Sequence, residues 1–270
     1  MKTSALRERL LLTMNRFNIR KRLFDIIYFR FGFLYYPKSG RLEGMRNFLI
    51  KNVPISIVID GGANSGQWAK EVLREFPNIV MNCFEPLTEP FKKLENSIGL
   101  SSNVKCYKVA LGDRDYEANM NVASNFGASS SLKSPDLHLS VNPSVQFVSK
   151  EKVEIRSLDS LGIFNKTDNK IYFKLDVQGF ELEALIGAEE NLQRMCAIEI
   201  EMSYSPLYSG EFQYHEVIEY LLSKDFIHIF SSIPRSDRFG RQWDFNSIFV
   251  RKDVWKKITF EKYPFEIGGN

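Results

Sequence analysis

The sequence predicts an α/β fold, a doubly wound and mostly parallel sheet of seven strands with helices on both faces and a terminal antiparallel hairpin. Two observations predict it. Short apolar runs alternate with segments whose apolar residues recur at helical spacing. The last two apolar runs, 226–230 and 246–251, are joined by a polar loop with no room for a crossover helix, which favours an antiparallel pair.

The first predicted strand ends in an acid and a tight turn. Residues 57–59 are Ile-Val-Ile, and the residues that follow are Asp60, Gly61, Gly62, Ala63, Asn64, Ser65 and Gly66. Helical spacing begins at Trp68. Glycines let a backbone approach a ligand closely, and the start of a helix offers free N–H groups. This stretch therefore predicts a ligand site at the carboxyl edge of the sheet, with a tight turn that binds nothing as the alternative.

The spacing of this turn favours one ligand class. A dinucleotide fingerprint needs G-x-G-x-x-G, but Asn64 and Gln67 stand at two of its glycine positions. This argues against an NAD-dependent oxidoreductase. Glu85 ends the next apolar run, 25 residues after Asp60, where a carboxylate can accept hydrogen bonds from both ribose hydroxyls of an adenosine. The turn is similar to the first motif of S-adenosylmethionine (SAM) dependent methyltransferases.

Four further segments continue the alternation. Residues 103–110 predict a third strand, and 114–150 predict a long excursion on the substrate side with hairpin character. Residues 171–175 predict a central strand that ends at Asp176. The next strand, 197–202, carries Glu199 and Glu201 on one face, which is unusual for a buried parallel strand.

Charge divides the chain. Residues 1–51 carry 12 Lys/Arg and 3 Asp/Glu, whereas the rest carries 24 Lys/Arg and 30 Asp/Glu. We predict a basic, aromatic-rich helical arm over 1–51, which either packs over the main domain or contacts an anionic membrane peripherally through residues 1–36. Nucleic-acid binding is not expected, because the main domain is acidic and has no recognition motif. Three widely spaced cysteines without a CxxC pair fit a reducing compartment, and we expect a cytoplasmic protein, with a location peripheral to the membrane as the alternative.

Six segments together resemble the FkbM family of SAM-dependent methyltransferases, across roughly residues 55–252. In chain order they are residues 60–66, 84–86, 110–113, 129–132, 174–181 and 201–208. The family more often has valine where Gly61 stands. The resemblance implies a methyltransferase domain over residues 52–270 with the seven-stranded Rossmann-like fold, SAM as methyl donor and an oxygen acceptor.

The resemblance also implies site roles. The turn from Gly62 to Gly66 would hold the methionine part of SAM, Glu85 the ribose, and the segment at Leu111 the adenine, with Asp176 near the sulfonium. The cofactor-binding residues so implied are Asp60, Gly61, Gly62, Asn64, Ser65, Gly66, Glu85, Pro86, Leu111, Gly112, Asp113 and Asp176.

An alcohol acceptor requires a general base. Asp176 is the first candidate because it ends a central strand, Glu201 is the second, and His138 and His215 are outside candidates. Asp176, Glu181 and Glu201 together are a conceivable divalent-metal set. Gln178 stands where a further acid would be expected, so no metal site is predicted.

The predicted function is O-methylation of a hydroxyl on a glycan, lipid-linked sugar or secondary metabolite. Acceptor specificity is expected in residues 114–150, 202–214 and 231–245. Two alternatives stay open, which are N- or C-methylation by the same fold and an inactive SAM-fold binding protein recruited by its basic arm.

Overall fold

The computed structural model describes residues 40–164, 170–236 and 239–258. Its strands are β1 (Ile57–Gly61), β2 (Val80–Phe84), β3 (Val104–Tyr107), β4 (Ala110–Leu111), β5 (Tyr116–Ala123), β6 (Phe147–Arg156), β7 (Ile171–Leu175), β8 (Met195–Ser203), β9 (Phe226–Ser231) and β10 (Asp244–Arg251). Its α-helices are α1 (Gly40–Asn52), α2 (Gln67–Glu75), α3 (Thr88–Ile98), α4 (His138–Val141), α5 (Glu181–Ile186), α6 (Tyr214–Ser223) and α7 (Lys252–Lys256), and a 3₁₀ helix spans Glu189–Arg194.

Seven strands form the main sheet in the order β3-β2-β1-β7-β8-β10-β9. The pairs β1–β2, β2–β3, β1–β7 and β7–β8 are parallel. Strand β10 is antiparallel to both β8 and β9. The predicted fold class, including its terminal antiparallel hairpin, is confirmed.

The strand order reverses between β1 and β7. The chain runs outward from β1 through β2 to β3, then returns to β7 on the other side of β1. In open α/β sheets, ligands bind beyond the carboxyl ends of the strands at such a switch point. Gly61 pairs with Leu175 in this register, so the residues that follow both strands meet at one edge of the sheet.

Alternating side chains of the central strands supply two apolar layers. Ile57 and Ile59 face a core that also contains Leu182 and Leu185 of α5 and Val217 of α6. Val58 faces the other core, with residues of α1, α2, α3 and α7. The sheet is therefore covered on both faces, which explains why its strands are apolar at nearly every position.

Helix α1 is anchored to the sheet by a buried ion pair. Two nitrogens of Arg46 donate to the two carboxylate oxygens of Glu199, each at 2.8 Å. Tyr172 and Trp68 donate to the same carboxylate at 2.7 and 3.1 Å. Glu199 is thus a structural acid, which accounts for one of the two glutamates on that strand. Helix α1 includes the last residues of the predicted arm, whereas residues 1–39 lie outside the described residues and the arm stays a prediction.

A second sheet carries the long excursion. Strands β5 and β6 form an antiparallel hairpin, as expected, and β4 pairs with β6 in parallel. The prediction of one strand over 103–110 was wrong, because its two ends join different sheets. Val104–Tyr107 pairs with β2, whereas Ala110–Leu111 turns away to pair with β6. Strand β6 also begins at Phe147, inside the range predicted as excursion.

No helix among the described residues is both long and apolar enough to cross a membrane. Cys83, Cys106 and Cys196 are free thiols.

Candidate functional site

A cavity of about 300 Å³ lies at the carboxyl edge of the main sheet, at the switch point. Its wall is largely apolar with a few polar groups, as is typical of cofactor and small-molecule sites. The lining residues are Gly62, Ala63, Asn64, Gln67, Trp68, Phe84, Glu85, Pro86, Val109, Ala110, Leu111, Met120, Gly127, Ala128, Ser130, Leu132, Lys174, Asp176, Val177, Gln178 and Phe180.

The turn after β1 forms one side of this cavity. Gly62 has a φ of 78°, and a Cβ at this position would lie 1.9 Å from the carbonyl oxygen of Asp176. Only glycine fits there. The N–H groups of Gly62 and Ala63 donate to the carbonyl of Phe84 at 3.1 and 2.9 Å. The turn is thus fixed against the ends of both neighbouring strands.

Glu85 lines the cavity from the end of β2. One carboxylate oxygen accepts the N–H of Asn64 and the other accepts the N–H of Leu87, both at 2.9 Å. Burial raises the pKa of Glu85 to about 7, although these two hydrogen bonds oppose the shift. Each oxygen keeps a second lone pair for a ligand hydroxyl. This position suits the predicted ribose contact.

Asp60 lies beneath the cavity and does not line it. Its side chain is fully buried, and Lys174 Nζ is 3.0 Å from its Oδ1. The same ammonium lies 3.8 Å from Asp176 Oδ2 and donates to the carbonyl of Gly62 at 3.2 Å. Burial alone would lower the pKa of Lys174, but the carboxylates of Asp60 and Asp176 outweigh it and hold that pKa above its usual range. Asp60 therefore acts on the site through Lys174.

The other predicted cofactor residues divide into two groups. Gly62, Asn64, Glu85, Pro86, Leu111 and Asp176 line the cavity, whereas Gly61, Ser65, Gly66, Gly112 and Asp113 do not. Gly66 has a φ of 83° and faces Leu94 of α3. A Cβ on Gly112 would meet Ile155 and Phe180. Asp113 pairs with exposed Arg114 at 2.8 Å. These five residues are not part of the cavity wall, and their contact with the cofactor stays a prediction.

Gln178 joins the two acids that the sequence proposed as bases. Its Nε2 donates to Asp176 Oδ1 and to Glu201 Oε2, both at 2.8 Å. Its Oε1 accepts the hydroxyl of Tyr208 at 2.8 Å. Gln178 has a φ of 54°, in the left-handed region that few non-glycine residues adopt. In the sequence, Gln178 is notable only because it stands where a metal-binding acid would be expected. Neither its φ nor its three hydrogen-bond partners can be inferred from the sequence.

Glu201 faces a second, small polar cavity behind Gln178. Residues of this cavity include His138, Tyr208 and Arg235. Burial and the nearby carboxylate of Asp176 raise the pKa of Glu201 well above its usual value. The guanidinium of Arg235 opposes that shift. Asp244 fixes Arg235 through two contacts, of which the Nε–Oδ1 contact is 2.5 Å long.

His138 reaches this cavity from the excursion. The main-chain N–H of His138 donates to the carbonyl of Leu207, and the imidazole stacks on Tyr208 at 5.3 Å between ring centroids. Its Nδ1 is buried without a hydrogen-bond partner among the described residues. Burial lowers the pKa of His138, so the imidazole is neutral near neutral pH. Asp176, Glu201 and His138 therefore meet around Gln178, whereas His215 is exposed on α6.

Glu181 has a structural role in the turn after β7. Its carboxylate accepts the N–H groups of Val177 and Gly179, both at 3.0 Å. These contacts close the turn that contains Gln178. Within residues 40–164, 170–236 and 239–258, no group of three or more His, Cys, Asp or Glu side chains is arranged to hold a metal ion.

Curated relatives carry methyltransferase names. The chain is 26% identical over 180 residues to the 2-O-methyltransferase NoeI of Sinorhizobium fredii, covering 64% of this chain and 74% of that protein. It is 24% identical over 147 residues to Methyltransferase 1 of Beauveria bassiana, covering 50% of this chain and 59% of that protein.

Among solved structures, the chain is similar to a precorrin-6y C5,15-methyltransferase from Geobacter metallireducens, with a TM-score of 0.43, 9% identity and coverage of 78% of this chain and 87% of that one. The methyltransferase FkbM domain matches residues 60–227, which include every lining residue of the larger cavity and all those of the smaller cavity except Arg235. The resemblance stated from the sequence is confirmed, and the chain belongs to the FkbM methyltransferase family.

Proposed function

We propose that this protein is a SAM-dependent O-methyltransferase whose cofactor occupies the 300 Å³ cavity. The supporting observation is the placement of the Asp176–Gln178–Glu201 group between that cavity and the polar cavity behind it. SAM would supply an electrophilic methyl group on a sulfonium. Gly62 allows close approach of the backbone, and Glu85 would accept the ribose hydroxyls.

The chain's own task is to position an acceptor hydroxyl and to take its proton. Asp176 lines the cofactor cavity and is the nearer base. The side-chain amide of Gln178 connects Asp176 to Glu201. Glu201 and neutral His138 both face the small polar cavity. A proton taken at the Asp176 carboxylate is therefore close to two further groups that can hold it.

The acceptor is proposed to be a hydroxyl of a glycan, a lipid-linked sugar or a secondary metabolite. The name of the relative NoeI, a 2-O-methyltransferase, supports an oxygen acceptor. The expected location is the cytoplasm, which the three free cysteines suit.

Calorimetric titration with SAM tests the cofactor assignment. The wild type should bind, and Glu85→Ala should bind at least tenfold more weakly because it loses the ribose acceptor. Glu89→Ala is the matched control, since Glu89 is exposed on α3 and pairs with Lys92 at 3.0 Å. No binding by the wild type would refute the proposal. A subsequent acceptor screen, read by product mass, separates O-methylation from N- or C-methylation.

A further inference from the structure

Three connections at the carboxyl edge of the main sheet form one continuous surface beside the two cavities. They join β5 to β6, β8 to α6 and β9 to β10. Ser209 N–H donates to the carbonyl of Ser134 at 2.8 Å, which links the first connection to the second. Tyr204 N–H donates to the carbonyl of Trp243 at 2.8 Å, which links the second to the third.

Exposed apolar side chains concentrate on this surface. Among the described residues, six large hydrophobic side chains with substantial exposure lie on the three connections, and we call them the apolar rim: Phe126, Leu137, Leu139, Phe212, Ile233 and Phe239. Phe126 is 81% exposed and Ile233 is 65% exposed. Single exposed apolar residues are ordinary, but a group around a site entrance marks an interaction surface.

Cations accompany the aromatic members of the apolar rim. Lys93 Nζ lies 5.0 Å from the ring centroid of Phe126, and the Arg241 guanidinium lies 5.8 Å from that of Phe239. Lys133 lies 5.2 Å from Phe212 but also pairs with Glu183 at 2.8 Å, so its charge is already balanced. Exposed aromatic and aliphatic side chains beside Lys and Arg fit the boundary between anionic headgroups and acyl chains.

We propose that the apolar rim docks this protein on an anionic phospholipid surface, with the entrance to the site facing the lipid. Phe126 and Ile233 enter the headgroup boundary, and Lys93 contacts lipid phosphates. The proposal does not depend on the proposed reaction. It would give the site access to acceptors that are anchored in a membrane. Contact through residues 1–36 is a separate proposal, and the full chain keeps that segment in every variant below.

Vesicle co-sedimentation of the full chain tests this surface. The wild type should bind vesicles that contain both phosphatidylcholine and phosphatidylglycerol. It should bind vesicles of phosphatidylcholine alone much more weakly. The double variant Phe126→Asn, Ile233→Asn should bind roughly ten- to a hundred-fold more weakly, because two exposed apolar side chains no longer leave water. Asparagine tolerates the φ of 57° at residue 126. Leu100→Asn is the matched control, since Leu100 is 95% exposed and precedes β3 at the opposite edge of the sheet.

Substitution of two adjacent lysines tests whether positive charge beside Phe126 contributes to vesicle binding. Lys93→Gln should weaken binding to anionic vesicles about fivefold, whereas Lys92→Gln should not, because Lys92 pairs with Glu89 instead of covering a ring. Equal binding of the double variant and the wild type would overturn the proposal and assign binding to another segment. Equal binding to neutral vesicles would overturn the anionic assignment. A wild type that dimerises through the apolar rim and ignores vesicles would make it a subunit interface instead.

Discussion

At the scale of single residues, the site depends on groups whose partners lie far away in the sequence. Gln178 contacts its near neighbour Asp176 and also Glu201 and Tyr208, which lie 23 and 30 residues further along the chain. Glu85 and Glu201 have raised pKa values chiefly because folding buries them. Two predictions follow from these contacts, one for the cofactor side and one for the acceptor side.

On the cofactor side, SAM affinity should rise with pH up to about 7 and then level off. The pKa of Glu85 is about 7 in the free protein, and a ribose that donates hydrogen bonds to the carboxylate would lower it. Binding then selects the deprotonated form, so it releases a proton below pH 7 and becomes weaker there. Calorimetry in buffers of different ionisation enthalpy measures how many protons are released when SAM binds. An affinity that does not change between about pH 5 and 8 would contradict the ribose role.

On the acceptor side, Gln178→Leu should lower kcat about ten- to a hundred-fold and leave the KM for SAM nearly unchanged. The amide stabilises the charged form of Glu201, so its loss should also move the rise of kcat to higher pH. The measurement is a pH–rate profile with the acceptor found by the screen. Gln193→Leu, at an exposed position of the 3₁₀ helix, is the control. A uniform loss of kcat with an unmoved pH profile would make Gln178 merely structural.

At the scale of elements, helix α1 belongs to the packing of the sheet. Its Arg46 reaches Glu199, 153 residues later, and Tyr172 and Trp68 complete the shell of that carboxylate. Leu49, which is fully buried, adds apolar contact on the same face. The two glutamates of β8 thus serve different purposes, since Glu199 holds a helix and Glu201 faces the site.

Arg46→Ala should destabilise the fold by about 3–5 kcal/mol, because it leaves the Glu199 carboxylate buried without its cation. Urea unfolding measures this as a lower midpoint. Glu71→Gln is the control, because Glu71 is half exposed and lies 3.9 Å from Arg46, and it should change stability by less than about 0.5 kcal/mol. Adding Glu199→Gln to Arg46→Ala should restore part of the loss. A wild-type midpoint for Arg46→Ala would show that α1 is held by apolar contacts alone.

At the scale of the whole molecule, ligand binding and folding stability are coupled through the switch point. The ends of β1, β2 and β7 meet there, and Gly62 touches the backbone of Asp176 across the sheet. A ligand in this cavity contacts several strands at once and stabilises the folded chain by mass action.

SAM at about a hundred times its Kd should contribute roughly 2.7 kcal/mol and raise Tm by roughly 5–10 °C. Gly62→Ala should lose this shift, because its Cβ would lie 1.9 Å from the Asp176 carbonyl oxygen. Gly44→Ala in α1 adds a Cβ with nothing within 4 Å, so it should keep the shift and gain about 0.5–1 kcal/mol. Thermal scans with and without SAM measure this shift in Tm. If SAM raises the Tm of Gly62→Ala as much as that of the wild type, SAM does not bind against Gly62.

The sequence by itself determined the α/β class, the terminal hairpin, the turn after β1 and the acids that end the strands. These features are local, since periodicity and turn residues act over a few positions. Only the tertiary structure decided that 103–110 divides between two sheets, that Asp60 acts through Lys174, and that Gln178 links Asp176 to Glu201. Burial, pKa values and the partners of Glu199 depend on contacts between separate segments, such as that between Arg46 and Glu199, which are 153 residues apart, and no pattern within one segment encodes them.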